Sequence, residues 1–232
     1  MATPAEVMVV TPHPDDAEIG AGGTVARWIG EGKRVVYVVC TNGNKGSADP
    51  EMQPEKLAAI REEEQRVAAR SLGVAEVVFL RHPDQSLEDT VEFRKELTRL
   101  IRRYRPHTVL TCDPYQRYFW WHRDHRITGR VTLDAIFPCA RDFHSFPELL
   151  EEGLKPHKVS EILLWGSEEP NYRSDVTATF AAKMTALSCH QSQIGDKIAP
   201  ELEKRFIEWH QTMAEGEDFE LAEAFHRVDM WW

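Results

Sequence analysis

Residues 6–23 read EVMVVTPHPDDAEIGAGG, and the way this stretch opens decides how the whole chain is built. EVMVV (Glu6 to Val10) is an apolar, β-branched run too short for a helix. It suits a strand covered on both faces, the kind found inside a parallel sheet. TPHPDDAEIGAGG then reads as a polar, Gly-rich loop. A helix follows over Thr24 to Glu31, with Gly32 as its stop.

Outward from that unit, the pattern repeats. RVVYVVC, ending at Cys40, reads as a second strand, and TNGNKGSADP (residues 41–50) as its loop. A helix runs from Pro54 through Arg70 and closes near Gly73. VAEVVFL is a third strand. The helical pattern Val91 to Tyr104, the strand His107 to Cys112, the loop DPYQRYFWWHRDH and a helix over Arg126 to Phe137 complete another round. EILLW, ending at Trp165, is a further strand. Helical segments over Thr179 to His190 and Pro200 to Thr212 precede an acidic tail region. Alternating strands and helices predict an α/β fold: a Rossmann-like three-layer sandwich with a mostly parallel central sheet. No repeat or long linker interrupts it, so residues 1–232 are expected to form one domain.

In such a sheet, ligands bind at the carboxyl ends of the strands. The loops His13 to Glu18, Thr41 to Gly46, His82 to Asp84 and Asp113 to His125 should therefore meet along one edge. Composition narrows what they meet. With 28 Lys and Arg against 38 Asp and Glu, the net charge is -10. That balance repels a phosphate backbone and argues against nucleic acid as a partner. No run of about 20 apolar residues predicts a membrane span, and MATPAEVMVV lacks the basic and apolar regions of a secretion signal. Cys40, Cys112, Cys139 and Cys189 are widely spaced and form no CxxC pair. They read as thiols of a reducing cytoplasm, and thiolate zinc ligation is not expected.

Two clusters carry the chemistry. In HPDD, His13 and Asp16 stand three apart in a tight turn, so both can reach one metal, and imidazole with carboxylate suits zinc. Asp15 is left free beside the ion. The same tetrapeptide also reads as a plain helix cap. In HRDH, His122, Asp124 and His125 offer a third ligand, an acid and an orienting group. The competing reading is a solvated helix N-terminus. Placement of both clusters at predicted strand ends favours the metal.

HPDD after the first strand, TNGNKG after the second and HRDH after the fourth resemble the LmbE-like (PIG-L) family of metal-dependent N-deacetylases. IREEEQRVAARSLGV resembles that family's helix motif, KMTALSCHQSQ (Lys183 to Gln193) its late signature, and LAEAF its closing segment. The resemblance runs from about Val7 to Phe225. It implies His13, Asp16 and His125 as ligands of Zn2+ or another divalent transition metal, and Asp15 as general base. It implies His122 as the group that stabilises or protonates the reacting centre, and Asp124 as its orienting carboxylate. Arg61 matches a substrate-contacting arginine and Asp84 a sugar-hydroxyl acceptor, although HPDQSL departs from the commoner pattern at that point. Arg123 replaces a frequent Pro, which is expected to alter loop stiffness only.

The substrate so implied is a small N-acetylated sugar of the N-acetylglucosamine type, and a homo-oligomer, trimer or hexamer, is a further expectation. The rival readings are a metal-dependent phosphoesterase, which would usually need two ions about 3.5–4 Å apart, and a non-catalytic ligand-binding protein. The latter lacks a GxGxxG fingerprint. His82 reads as part of a substrate-facing loop, His190 as a structural histidine, and Glu62, Glu63 and Glu64 with Arg66 as a solvated helix face. Trp120 and Trp121 suit either a sugar face or packing. Trp231 and Trp232 suit a subunit interface.

Overall fold

The computed structural model describes residues 3–117, 122–194 and 200–232. Among these described residues, seven strands form one sheet in the order β3-β2-β1-β4-β5-β7-β6. β1 (Val7–Thr11), β2 (Val35–Thr41), β3 (Glu76–His82), β4 (Thr108–Cys112) and β5 (Glu161–Trp165) run parallel. β7 (Ala222–Asp229) lies antiparallel between β5 and β6 (Tyr172–Asp175).

β1 shows why both faces are covered. Met8 and Val10 enter one core with Leu97, Ile101, Val131 and Ile136, from α3 (Val91–Tyr104) and the α4 region (Arg123–Asp134 and beyond). Val7 and Val9 enter a second core with Ala21, Val25, Ala69 and Ala186, from α1 (Asp16–Gly30), α2 (Pro54–Leu72) and α6 (Phe180–Ser188). Side chains alternate across a strand, so one apolar run fills two cores and makes three layers. The α/β sandwich expected from the sequence is the observed fold. Short α5 (Glu148–Glu151) and α7 (Pro200–Met213) complete it. Among the described residues no helix is long and apolar enough to cross a membrane.

Three boundaries differ from the sequence reading. α1 begins at Asp16 rather than Thr24, so Gly20, Gly22 and Gly23 lie inside a helix and not in a loop. They serve close packing: a Cβ on Gly20 would lie 2.6 Å from the Trp165 ring. α4 begins at Arg123, and helical geometry breaks at Phe137, whose extended backbone is what a following proline favours. The acidic tail contains β7, which joins the sheet.

Candidate metal centre

The strand order reverses direction between β1 and β4, and a crevice at the carboxyl ends of such neighbours is where ligands bind. His13 follows β1, Asp84 follows β3, and His122 to His125 open α4 after β4. The two segments meet. Asp16 Oδ2 lies 2.9 Å from His13 Nδ1 and 3.2 Å from His125 Nε2. The ring centroids of His13, His122 and His125 stand 4.6 to 5.4 Å apart. Their nitrogens form one grouping close enough to share an ion; His13, Asp84, His122 and Asp124 form another.

The other nitrogen of His13 has its own partners: Nε2 lies 3.0 Å from Asp84 Oδ1 and 3.3 Å from Asp124 Oδ2. An imidazole with one nitrogen among candidate ligands and the other on carboxylates has the orientation of a metal-bound histidine. Burial opposes a charge on His13, yet Asp124, Asp16 and Asp84 outweigh it and hold its pKa well above the ordinary value. Burial likewise works against Asp84, but His13 and the Lys45 amide bring its carboxyl down to about 2. Three carboxylates crowd these imidazoles, and a divalent cation fits that donor set and its charge.

Asp15 and Asp16 are adjacent and pushed apart. Burial opposes ionisation of Asp16 too, but His125 and His13 hold it well below the carboxylate range. Burial, then the charge of Asp16, raises Asp15 to about 7 against the pull of Arg61, His190 and His13. Asp15 also sits at φ 97, a conformation that strains any residue with a side chain, by about 1–3 kcal/mol.

The other sequence-predicted residues fall as follows. His122 caps α4: its Nδ1 accepts the Asp124 N–H at 3.2 Å, so the neutral ring carries its proton on Nε2. Burial, then His13 and His125, lower its pKa. The Asp124 carboxylate lies near a His122 ring nitrogen and makes hydrogen bonds to other groups. It accepts N–H bonds from Gln85 (2.6 Å) and Leu87 (3.2 Å) and meets His13. Arg61 is buried: Nη1 donates to Gly43 O (3.0 Å) and Nη2 to Pro14 O (2.7 Å) and Asp15 Oδ2 (3.4 Å), while Nε has no hydrogen-bond partner among the described residues. Gly43, at φ 60, makes room for it, since a Cβ there would stand 2.5 Å from Nη1. His82 pairs with Glu96 at 2.7 Å, and both side chains stay partly exposed. Glu62 and Glu63 do form ion pairs along α2, but Glu64 accepts both Ser192 N–H and Oγ–H at 2.6 Å. Trp120 and Trp121 lie outside the described residues.

Two buried groups were not singled out by the sequence. Glu18 faces His190 at 3.4 Å, and Gln65 joins Glu18 to the Asp15 backbone. Gln65 sits four residues after Arg61 on the face of α2 that otherwise carries Leu57, Ala68, Ala69 and Leu72, a polar side chain at a core position.

An α/β sheet with a histidine–carboxylate cluster at its switch point defines a class of metal-dependent enzymes. Within that class, the chain belongs to the PIG-L family: the model described as GlcNAc-PI de-N-acetylase matches residues 8–136. A diacetylchitobiose deacetylase from Thermococcus kodakarensis is 34% identical over 193 residues, 83% of this chain and 72% of its own. A 1D-myo-inositol 2-acetamido-2-deoxy-alpha-D-glucopyranoside deacetylase from Mycobacteroides abscessus is 30% identical, with 83% of this chain and 82% of its own covered. The solved N,N'-diacetylchitobiose deacetylase from Pyrococcus horikoshii, complexed with its inhibitor MPG, is similar with a TM-score of 0.91 at 32% identity, covering 97% of this chain and 84% of its own.

Proposed function

We propose that this protein removes the N-acetyl group from an N-acetylglucosamine-type sugar or glycoside, with His13, Asp16 and His125 holding Zn2+. The observation that carries the proposal is the meeting of His13 Nδ1 and His125 Nε2 on one oxygen of Asp16, with the Asp15 carboxylate next in sequence and turned to Arg61 instead. A divalent ion bound there acidifies a water from a pKa of about 15.7 towards about 7 and polarises an amide carbonyl.

The remaining work falls to the chain. Asp15 accepts the proton of the attacking water. Neutral His122 donates a hydrogen bond from Nε2 to the carbonyl oxygen as negative charge grows on it. Asp124 and Asp84 keep the His13 ring in place. The proton held by Asp15 then passes to the amide nitrogen as the C–N bond breaks, leaving acetate and a free amine. Asp84 borders the sugar in this proposal, and Arg61 acts on the substrate chiefly by holding Asp15. The free thiols of Cys40, Cys112, Cys139 and Cys189 fit a cytoplasmic setting.

The test is acetate release by zinc-loaded protein from a panel that includes N-acetylglucosamine, diacetylchitobiose and N-acetylglucosaminyl-inositol. Turnover of at least one member, abolished by a chelator and restored by zinc, is expected. Phosphate release from phosphoesters with two metals per chain, and no acetate from any amide, would replace this reading with the phosphoesterase one.

A further inference from the structure

We infer that Gln65 is a positioning residue for the deacetylation, one that aims the Asp15 carboxylate by clamping the backbone behind it. The inference rests on the reading of Asp15 as the base. Asp15 occupies a conformation that a residue with a side chain leaves unless its surroundings hold it there. The Pro14–Asp15 peptide group is gripped at both ends from one face of α2. Arg61 Nη2 donates to Pro14 O at 2.7 Å, and Gln65 Oε1 accepts the Asp15 N–H at 2.9 Å. These two side chains stand one helical turn apart, so α2 presents them as a pair to a single peptide plane.

Gln65 is itself held. Its Nε2 donates to Glu18 Oε1 at 2.8 Å, and the other oxygen of Glu18 faces His190. Gln65, Glu18 and His190 are fully buried, so none of them touches substrate directly. Each end of the Gln65 amide has a distinct use: the carbonyl fixes Asp15, and the amino group ties α2 to α1. A buried polar side chain at a core position is retained at a cost unless both ends are employed, and here they are. Without the clamp, the Asp15 peptide is free to rotate towards negative φ. That rotation swings the carboxylate away from the water it must deprotonate, while Asp16, already inside α1 and bound to two imidazoles, stays in place.

The experiment uses the full chain loaded with zinc and an N-acetylated sugar that it turns over. Gln65→Leu is expected to lower kcat by about 10- to 100-fold, the scale set by a small misplacement of a catalytic group. KM should stay within about twofold and zinc content should be unchanged. In an Asp15→Asn background the same substitution should lower the residual rate by less than about twofold, because the group it positions is gone. Gln65→Met serves if the leucine variant fails to fold. An unaltered kcat, or the same loss with and without Asp15, would overturn the clamp while leaving the deacetylase reading intact. Absence of acetate release from the wild-type protein overturns both readings.

Discussion

Asp15 and Asp16 are the same residue type one position apart, yet their surroundings give them opposite character. Asp16 is stabilised as a carboxylate by two imidazoles, while burial and the charge of Asp16 push Asp15 up to about 7. In the proposed mechanism, neighbouring acids driven apart in this way divide the roles of ligand and base. Asp15→Asn is therefore expected to lower kcat by about a hundredfold to ten-thousandfold with zinc still bound. His125→Ala should lose zinc along with activity. Metal analysis of the two purified variants decides the matter: zinc lost from Asp15→Asn and kept by His125→Ala would exchange the proposed roles. Sequence spacing suggested this division, because HPDD leaves one carboxylate between two prospective ligands. It did not suggest the Asp124–His13 contact, since those residues are 111 positions apart and meet only once β1 and β4 pair. Nor did it expose Gln65, which follows Glu62, Glu63 and Glu64 in sequence and shows its place on the buried face of α2, with Leu57, Ala68, Ala69 and Leu72, only once that helix is packed.

Elements were legible where periodicity was undisturbed and obscured where packing demanded an unusual residue. The continuous apolar runs of β1, β2 and β4 marked a buried parallel sheet directly. In α1 three glycines within four residues resembled a loop, because the side chains that need the space lie far along the chain: Trp165 for Gly20, Lys183 for Gly22 and Val176 for Gly23. β7 was hidden in the same way: its inward Glu223 looks like part of an acidic tail until its partners on α1 and α6 are in place. The α1 glycines allow a direct check. Gly→Ala inside a helix ordinarily stabilises by about 0.8–1 kcal/mol. At Gly20 the new methyl would stand 2.6 to 2.7 Å from three atoms of Trp165. Overpacking of that kind costs about 1–3 kcal/mol and outweighs the propensity gain. At Gly30 nothing lies within 4 Å of the added carbon. Thermal unfolding should show Gly20→Ala melting below the wild type and Gly30→Ala at or above it. A stabilised Gly20→Ala would mean that the α1–β5 contact is looser than described.

At the scale of the whole molecule, the last third of the chain is fastened to the first by one buried polar network on the side of the sheet that carries α1 and α6. Lys183 Nζ donates to Ile19 O at 2.8 Å and to Glu223 Oε1 at 2.7 Å, and lies 2.9 Å from His210 Nε2. Glu223 in turn accepts the N–H groups of Gly23 and Thr24. α1, α6, α7 and β7 thus share one set of hydrogen bonds, and removing Lys183 leaves the buried Glu223 carboxylate uncompensated. Lys183→Met should cost about 3–5 kcal/mol, read from the denaturant midpoint. The network also fixes how stability responds to acid. Burial, then the charge of Lys183, lowers the pKa of His210 from 6.5 to about 4. Above 6.5 the ring is neutral in both folded and unfolded chains and contributes no pH dependence. Between 6.5 and 4 the unfolded chain binds a proton that the folded one refuses, so stability falls as pH falls; below about 4 both are protonated and the slope ends. By linkage, His210 alone removes about 2 kcal/mol between pH 7 and pH 5. In His210→Gln, which cannot titrate, that part of the acid sensitivity should disappear, so the difference in unfolding free energy between the two pH values shrinks by this amount. An identical pH dependence in the two proteins would show that His210 takes up its proton without disturbing Lys183, and would remove it from the network.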